Sequence, residues 1–123
     1  MIQILTVTDI TQKQGICAKA AIPLSDDLHI IAVFEDDGIV SQGAIFRYLG
    51  TEGEILWLDM GDDFDLTEGL ARSVLSIMEI RGVKKVSLPL TYETLAQKLN
   101  FSKCEDKFEV SLEGFFCCNC QHK

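Results

Sequence analysis

The side chains best suited to metal binding or redox chemistry cluster near the C-terminus of this chain. Thiolate and imidazole groups are preferred ligands of zinc and Cu(I). Adjacent cysteines on an extended strand point to opposite sides, so a complete site needs the chain to fold back, a second chain, or a further ligand such as Cys17 or Cys104. Neighbouring thiols also form reversible disulfides. A zinc site, a redox sensor and an inert tail are therefore open alternatives for Cys117, Cys118, Cys120 and His122.

A second group of reactive side chains is acidic and lies beside the most regular apolar pattern in the chain. Asp62, Asp63 and Asp65 come just before that pattern, and Glu68 falls within its first turn. The segment from Asp65 to Glu68 fits a capping box, with Asp65 as the N-cap and Glu68 reaching back to it. We therefore expect these carboxylates to satisfy N-H groups at the start of a helix.

Apolar spacing predicts the elements that position these groups. An Asp-Gly pair at residues 37 and 38, between two apolar runs, predicts a hairpin. Gly15 and irregular apolar spacing leave two alternatives for the segment after Asp9, a helix to about Ala21 or a shorter helix followed by a loop. The predicted order is strand 1–7, helix 9–21, strands 29–34, 39–49 and 54–60, helix 66–82, strand 83–88, helix 89–101 and strand 107–116.

This order resembles the GNAT acetyltransferase superfamily over nearly the whole chain. The segment from Glu68 to Leu75 resembles the start of the family's central helix, where Q/R-x-x-G-x-G/A precedes an apolar run. The segment from Lys98 to Phe101 resembles the K-x-G-F that ends the family's later helix. The resemblance implies an α/β (α+β) fold, in which a mixed central sheet has antiparallel N-terminal strands, a parallel crossover and flanking helices.

The resemblance also implies acetyl-CoA as the acyl donor. In the family, backbone N-H groups at the start of the central helix face the CoA pyrophosphate, aided by the helix dipole. Gly69 and Ala71 match the two small positions of the motif, whereas Leu66 stands where the family has Gln or Arg. A backbone N-H near the end of the fourth strand is expected to polarise the thioester carbonyl. The residues predicted to contact acetyl-CoA are Leu58, Met60, Gly69, Leu70, Ala71 and Arg72.

Two catalytic residues are implied by the same resemblance. The family commonly has a Glu near the start of the fourth strand as general base, a place that Glu54 occupies here, with Asp59 further along as an alternative. A Tyr on the later helix often protonates the leaving thiolate. The aligned residue is Ala96, and Tyr92 lies one turn earlier on the same predicted face. Structural roles are open for all three, Glu54 as a solvated residue, Asp59 as a strand end and Tyr92 as a core aromatic.

Length, composition and charge limit the remaining possibilities. A chain of 123 residues, 47% hydrophobic and 24% charged, predicts one globular domain at 1–116 followed by a Cys-rich tail at 117–123. A net charge of -8, with scattered Lys and Arg, argues against nucleic acid as a partner. No apolar run reaches the ~18 residues that span a bilayer, and no basic leader precedes the first strand. We therefore expect a cytoplasmic protein without a membrane partner.

Two functions follow from these observations. The first is transfer of an acetyl group from acetyl-CoA to an amine. The short segment 9–27 leaves an open acceptor side that suits a protein or peptide amine, and an acidic rim attracts a cationic one. The second is a catalytically silent GNAT-fold module that binds or regulates a partner, with a metal or redox link through the C-terminal cysteines. Leu66, Ala96 and the acidic loop favour the second, and a homodimer is compatible with either.

Overall fold

The computed structural model describes residues 3–36, 38, 40–59 and 64–112. Within the described residues the strands and helices follow one another in the order β1 Gln3–Thr6, α1 Ile10–Ala20, β2 His29–Phe34, β3 Val40–Leu49, β4 Glu52–Leu58, α2 Phe64–Ile80, β5 Lys85–Pro89, α3 Glu93–Lys98, β6 Ser102–Cys104 and β7 Lys107–Ser111. A short 3-10 turn at Leu90–Tyr92 precedes α3.

The strands form a single mixed sheet in the order β1-β2-β3-β4-β5-β7-β6. Every neighbouring pair is antiparallel except β4 and β5, which run parallel. A parallel pair cannot be closed by a tight turn, and α2 forms the crossover between these two strands. The predicted α/β fold with a mixed central sheet is therefore confirmed.

Helices cover the two faces of the sheet unequally. The buried stripe of α2 repeats at helical spacing and packs in the larger core together with α3 and one face of β2 to β5. Gly53 on β4 permits this close approach, because a Cβ there would lie 2.6 Å from the Met78 sulfur. Within the described residues, α1 is the helix that covers the opposite face, in a smaller core that includes Ile16 and Cys17. None of the helices in the described residues is long and apolar enough to cross a membrane.

The predicted first helix and first hairpin are confirmed. Asp9 caps α1, its carboxylate accepting a hydrogen bond from the Gln12 backbone N-H at 2.9 Å. The helix continues through Gly15 and ends at Ala20, so the alternative of a shorter helix followed by a loop is wrong. The pairing of β2 with β3 forms the hairpin, and Gly38 has the positive φ of +81° that glycine adopts most readily.

Two local predictions were wrong. Helix α2 begins at Phe64, so Asp65 lies inside its first turn rather than at the N-cap, and Glu68 binds Arg72 at 3.0 Å instead of reaching back. The C-terminal region also contains a hairpin of β6 and β7 where the pattern predicts one strand, because a three-residue strand is too short for alternation to show. The predicted domain end at residue 116 lies outside the described residues.

Candidate active site

The candidate site begins where β4 and β5 separate. Their pairing runs from Glu52 opposite Lys85 to Glu54 opposite Ser87 and then stops, although β4 continues to Leu58. A register shift between β3 and β4 places an extra residue, Leu56, in β4, and such a bulge bends a strand and increases its twist. The strands therefore diverge toward their carboxyl ends and leave a V-shaped opening in the middle of the sheet.

A groove of about 230 Å³ lies at the narrow end of this opening. We call it the strand cleft. Its walls come from both diverging strands and from the turn before β7, and Glu54 and Ser87 place polar groups where the two strands part. The residues that line it are Glu54, Ile55, Leu56, Ser87, Leu88, Pro89, Asp106 and Lys107.

Glu54, the predicted general base, lies in the strand cleft and is half-buried. One of its carboxylate oxygens accepts a hydrogen bond from the Arg47 guanidinium at 2.7 Å. Arg47 stands directly opposite on β3 and also lies 3.9 Å from the Asp27 carboxylate. The carboxylate is thus oriented by a cation on the neighbouring strand, and Arg47 is a residue that the sequence pattern did not single out.

Tyr92, the predicted proton donor, reaches the same opening from the α2 and α3 side of the sheet. Its side chain is 9% exposed, and its hydroxyl accepts a hydrogen bond from the Leu58 N-H at 2.9 Å and donates one to the Leu58 carbonyl at 3.1 Å. The next N-H, that of Asp59, donates instead to Gly43 on β3. Tyr92 therefore contacts the part of the β4 edge that is not paired with β5. Its hydroxyl accepts the hydrogen bond of the Leu58 N-H, which lies in the segment predicted to polarise a thioester.

Burial controls the ionisation of Tyr92. Removal of the hydroxyl from water raises its pKa above the usual value for tyrosine, although the Leu58 backbone hydrogen bond opposes this shift. The nearby Asp59 carboxylate raises the pKa further. The hydroxyl is therefore protonated at neutral pH and can donate a hydrogen bond or a proton.

The motif places the predicted pyrophosphate-binding residues at the start of the central helix. In the structure they lie about one turn further along α2 than its start at Phe64. Leu70 and Ala71 are buried in the core, and Arg72 on the exposed side binds Glu68. In an α-helix the N-H groups beyond the first turn are used by the helix itself. Anion binding by α2 would therefore depend on the N-H groups of its first turn, which begins at Phe64, and not on Gly69 to Arg72.

A buried polar network fixes the start of α2 against the end of β4. The Gln42 side-chain amide donates to the Asp59 carbonyl at 2.8 Å and to the Thr67 hydroxyl at 2.9 Å. Gln42 and Thr67 are both buried. The network was not predicted, although a Gln inside the apolar pattern of a central strand is a signal that could have indicated it.

A second cavity, of about 240 Å³, lies on the other side of β4 beneath α1. We call it the helix pocket. Asp59 is at its edge with a side chain only 14% exposed, and its carboxylate binds the Lys19 ammonium at 2.7 Å. The lining residues are Gln12, Gly15, Ile16 and Lys19 from α1, Val40, Ser41 and Gly43 from β3, and Trp57 and Asp59 from the end of β4.

Several predicted site residues lie outside the described residues. These include Met60, Asp62 and Asp63 as well as the four proposed metal ligands Cys117, Cys118, Cys120 and His122. In the described part of the chain no three His, Cys, Asp or Glu side chains are grouped to hold a metal ion. Cys17, proposed as a further ligand, lies on the buried face of α1, and Cys104 lies on β6.

Comparisons with known proteins identify the fold. No protein-family profile and no curated protein sequence matches the chain. Among solved structures, the ribosomal-protein-S18-alanine N-acetyltransferase from Escherichia coli is similar with a TM-score of 0.70 and 12% identity, over 91% of this chain and 94% of that one. The spermidine/spermine N-acetyltransferase from Vibrio cholerae has a TM-score of 0.71 and 6% identity, over 96% and 98%.

One similar structure contains coenzyme A. It is the PaiA N-acetyltransferase from Thermoplasma acidophilum, with a TM-score of 0.60 and 13% identity over 82% of this chain and 69% of that one. Many of the matching structures are described as acetyltransferases of the same superfamily. At these identities the similarity establishes the fold.

Proposed function

The chain has the fold of the GNAT superfamily, and from that premise we propose that it transfers an acetyl group from acetyl-CoA to an amine. The observation that carries the proposal is the parting of β4 and β5 at Glu54 and Ser87, which opens a cleft inside an otherwise continuous sheet. A sheet interrupted at its centre loses backbone hydrogen bonds. A thioester and its pantetheine arm can fill such an opening and supply amide groups of their own.

The proposed chemistry is direct transfer between two bound substrates. The amine nitrogen forms a bond to the acetyl carbonyl carbon, the bond from that carbon to sulfur breaks, and the amine loses a proton while the thiolate gains one. Glu54 is the general base of this proposal, acting on the amine directly or through a water. Tyr92 is the proton donor to the thiolate, a role supported by a hydroxyl that burial keeps protonated.

Polarisation of the carbonyl is assigned to the Leu58 N-H, and Tyr92 must then release it. Its hydroxyl bonds to that N-H at 2.9 Å, in the place where the acyl oxygen is expected. A shift of the whole Tyr92 side chain away from β4 breaks both hydrogen bonds to Leu58 and lets the hydroxyl bind the donor instead. Tyr92 would therefore hold the strand edge in the empty protein and act on the sulfur in the complex.

The start of α2 is proposed to bind the pyrophosphate. A helix N-terminus favours anions through its first-turn N-H groups and its dipole. Asp65 in the first turn opposes this attraction with a negative charge of its own. We therefore propose that acetyl-CoA binds weakly and that its affinity depends strongly on the local charge.

The acceptor is proposed only as an amine. An alanine of ribosomal protein S18 is named as the acceptor for the Escherichia coli structure, and spermidine and spermine are named for that from Vibrio cholerae. Release of CoA thiol from acetyl-CoA, measured with an alanine-initiated peptide and with spermidine, tests the proposal. We expect amine-dependent release from the wild-type protein but not from Glu54→Gln. Equal release from both proteins with each amine would contradict the assigned mechanism.

A second candidate function has its own supporting observation. Glu54 is bound to Arg47 and the Tyr92 hydroxyl is bound twice to Leu58, so both proposed catalytic groups already have partners in the chain. Ala96, at the position where the family often has Tyr, is fully buried. This arrangement also suits a catalytically silent module that uses the fold to bind a partner. Absence of acetyl-CoA binding together with no amine-dependent thiol release would favour it.

A further inference from the structure

We infer that the helix pocket binds a primary alkylammonium group, and that the Lys19 ammonium competes with this ligand for the Asp59 carboxylate. The inference rests on the proposed function in one respect, because it names a small cationic amine as the acceptor. It otherwise stands on the pocket itself. Trp57 and Asp59 line the pocket and flank Leu58, whose N-H is the proposed donor to the acyl oxygen. The pocket therefore adjoins Leu58 along the chain, on the opposite side of β4 from the strand cleft.

Its lining has the chemistry that recognises an ammonium ion on an alkyl chain. Asp59 supplies a carboxylate that is largely screened from solvent. Trp57 supplies an indole wall, and tryptophan is the aromatic side chain that attracts cations most strongly. Ile16 and Val40 complete an apolar surface for methylene groups.

The Ser41 hydroxyl adds an unused polar group to this lining. Its oxygen is buried and has no hydrogen-bond partner within the described structure, which is uncommon for a buried hydroxyl. An ammonium group has three N-H donors and can bind more than one oxygen at once. A rotation of the Ser41 side chain toward the pocket would therefore provide an acceptor in addition to Asp59.

The Lys19 contact shows directly what such a ligand would do. Its ammonium is a primary amine on an alkyl chain, bound to Asp59 at 2.7 Å. The Lys19 side chain is 61% exposed at the end of α1, so its ammonium regains water when it swings into solvent, whereas the Asp59 carboxylate, only 14% exposed, is then left to bind another cation. A soluble amine can then take its place without any change in the backbone.

Gly15 provides a way to close the pocket while the fold is retained. It lines the pocket from the middle of α1, and a Cβ built on it would meet no atom within 4 Å. A larger side chain at this position therefore meets no steric obstacle at its Cβ, beside the pocket that Gly15 lines. Replacement of a helical glycine also favours the helix. Gly15→Leu should thus fill the pocket and keep or raise the thermal midpoint of unfolding.

Trp57 makes the test direct, because it is the only tryptophan in the chain. Tryptophan fluorescence should be titrated with n-butylamine at pH 7.5, and with n-butanol as the neutral control of similar shape. We expect saturable quenching or enhancement with the amine and none with the alcohol. Lys19→Met should tighten amine binding at least threefold by removing the competitor. Asp59→Asn and Gly15→Leu should each weaken it at least tenfold.

The outcomes separate this inference from the proposed function. Equal responses to the amine and the alcohol, or unchanged affinity in Lys19→Met and Asp59→Asn, would overturn it. Acetyl-CoA binding measured on the same protein by calorimetry reports on the strand cleft independently. Amine binding without acetyl-CoA binding would leave the pocket standing and remove the transferase, whereas acetyl-CoA binding without a specific amine response would do the reverse.

Discussion

The strand cleft and the helix pocket lie on opposite sides of β4, and they hold their polar groups differently. In the cleft, Glu54 is bound to Arg47 and Tyr92 is bound twice to the Leu58 backbone. In the pocket, the Asp59 carboxylate is bound by the exposed Lys19 ammonium, and the Ser41 hydroxyl has no partner within the described residues. Ligand binding in the cleft thus requires a buried group to move, whereas in the pocket a surface side chain has only to leave.

In this account the cleft carries out the chemistry and the pocket recognises the acceptor. Glu54→Gln should therefore have the largest effect of all the variants, a loss in the rate of acetyl transfer. Loss of a general base typically lowers the rate by about 10²- to 10⁴-fold. The amide keeps the size of the side chain and a hydrogen-bond acceptor for Arg47. Steady-state acetyl transfer measures the change.

Glu79→Gln is the matched control, since Glu79 is exposed at the far end of α2. It should leave the rate of acetyl transfer unchanged. An equal loss of rate in both variants would show that total negative charge, and not the cleft carboxylate, sets the rate.

Tyr92→Phe should have the next largest effect, this time on stability. The Leu58 N-H and carbonyl lose a buried partner, which costs about 1–3 kcal/mol in the free energy of unfolding. Tyr48→Phe is the matched control, because the Tyr48 hydroxyl is also buried but has no hydrogen-bond partner in the described structure. Urea unfolding should show a loss for the first variant and none for the second. Equal losses would mean that the Tyr92 contact does not hold the edge of β4.

The same tyrosines predict the alkaline limit of stability. Burial raises the pKa of Tyr92 and of Tyr48, so the unfolded chain releases these protons first as the pH rises. Their contribution is complete below about pH 10, the usual tyrosine pKa, and declines above it. Tyr92→Phe should show a shallower decline in the free energy of unfolding between pH 9 and 11 in buffered urea titrations, at roughly constant ionic strength. An unchanged slope would contradict the raised pKa.

Asp65→Asn tests a smaller electrostatic effect at the start of α2. A charge in the first turn changes anion binding by about 0.3–1 kcal/mol, so acetyl-CoA affinity should rise roughly two- to fivefold at low salt. The gain should shrink at physiological ionic strength because the charge is screened. Calorimetric titration of wild type and variant measures it. Unchanged affinity at low salt would place the pyrophosphate away from this helix end.

Lys19→Met should have the smallest effect on stability. Ion pairs at the protein surface contribute about 0–1 kcal/mol, and here Lys19 is mostly solvent-exposed while Asp59 borders a solvent-accessible pocket. The free energy of unfolding should therefore change by less than about 0.5 kcal/mol. A larger loss, measured by urea unfolding, would mean that the pair holds α1 on the sheet and would weaken the contrast between pocket and cleft.

The sequence predicted the sheet better than the site, and the reason is physical. Apolar periodicity reports which face of an element is buried, so α2 and the hairpin strands could be located closely. It carries no information on where two paired strands part. The divergence after Glu54 depends on a bulge at Leu56, and the Tyr92 contact depends on that divergence.

Residue type alone, without the geometry of the fold, was a poor guide to the roles of particular residues. Asp is a residue type typical of N-caps, but α2 begins at Phe64, one residue before Asp65. Gly69 matches the small residue of the family motif, yet it lies beyond the N-H groups of the first turn. Asp59 was noted as an unusual strand residue, and only the fold brought Lys19, forty positions earlier, against its carboxylate.

Calorimetric titration of acetyl-CoA into the wild-type protein and into Ser87→Phe tests the central claim most directly. Ser87 lines the strand cleft where β4 and β5 part, and a phenyl group there fills the groove. We predict saturable heat for the wild type at low salt and none for the variant, with both proteins folded by circular dichroism. No heat from the wild type at millimolar ligand, or the same affinity in both proteins, would contradict the claim that the cleft binds an acyl-CoA.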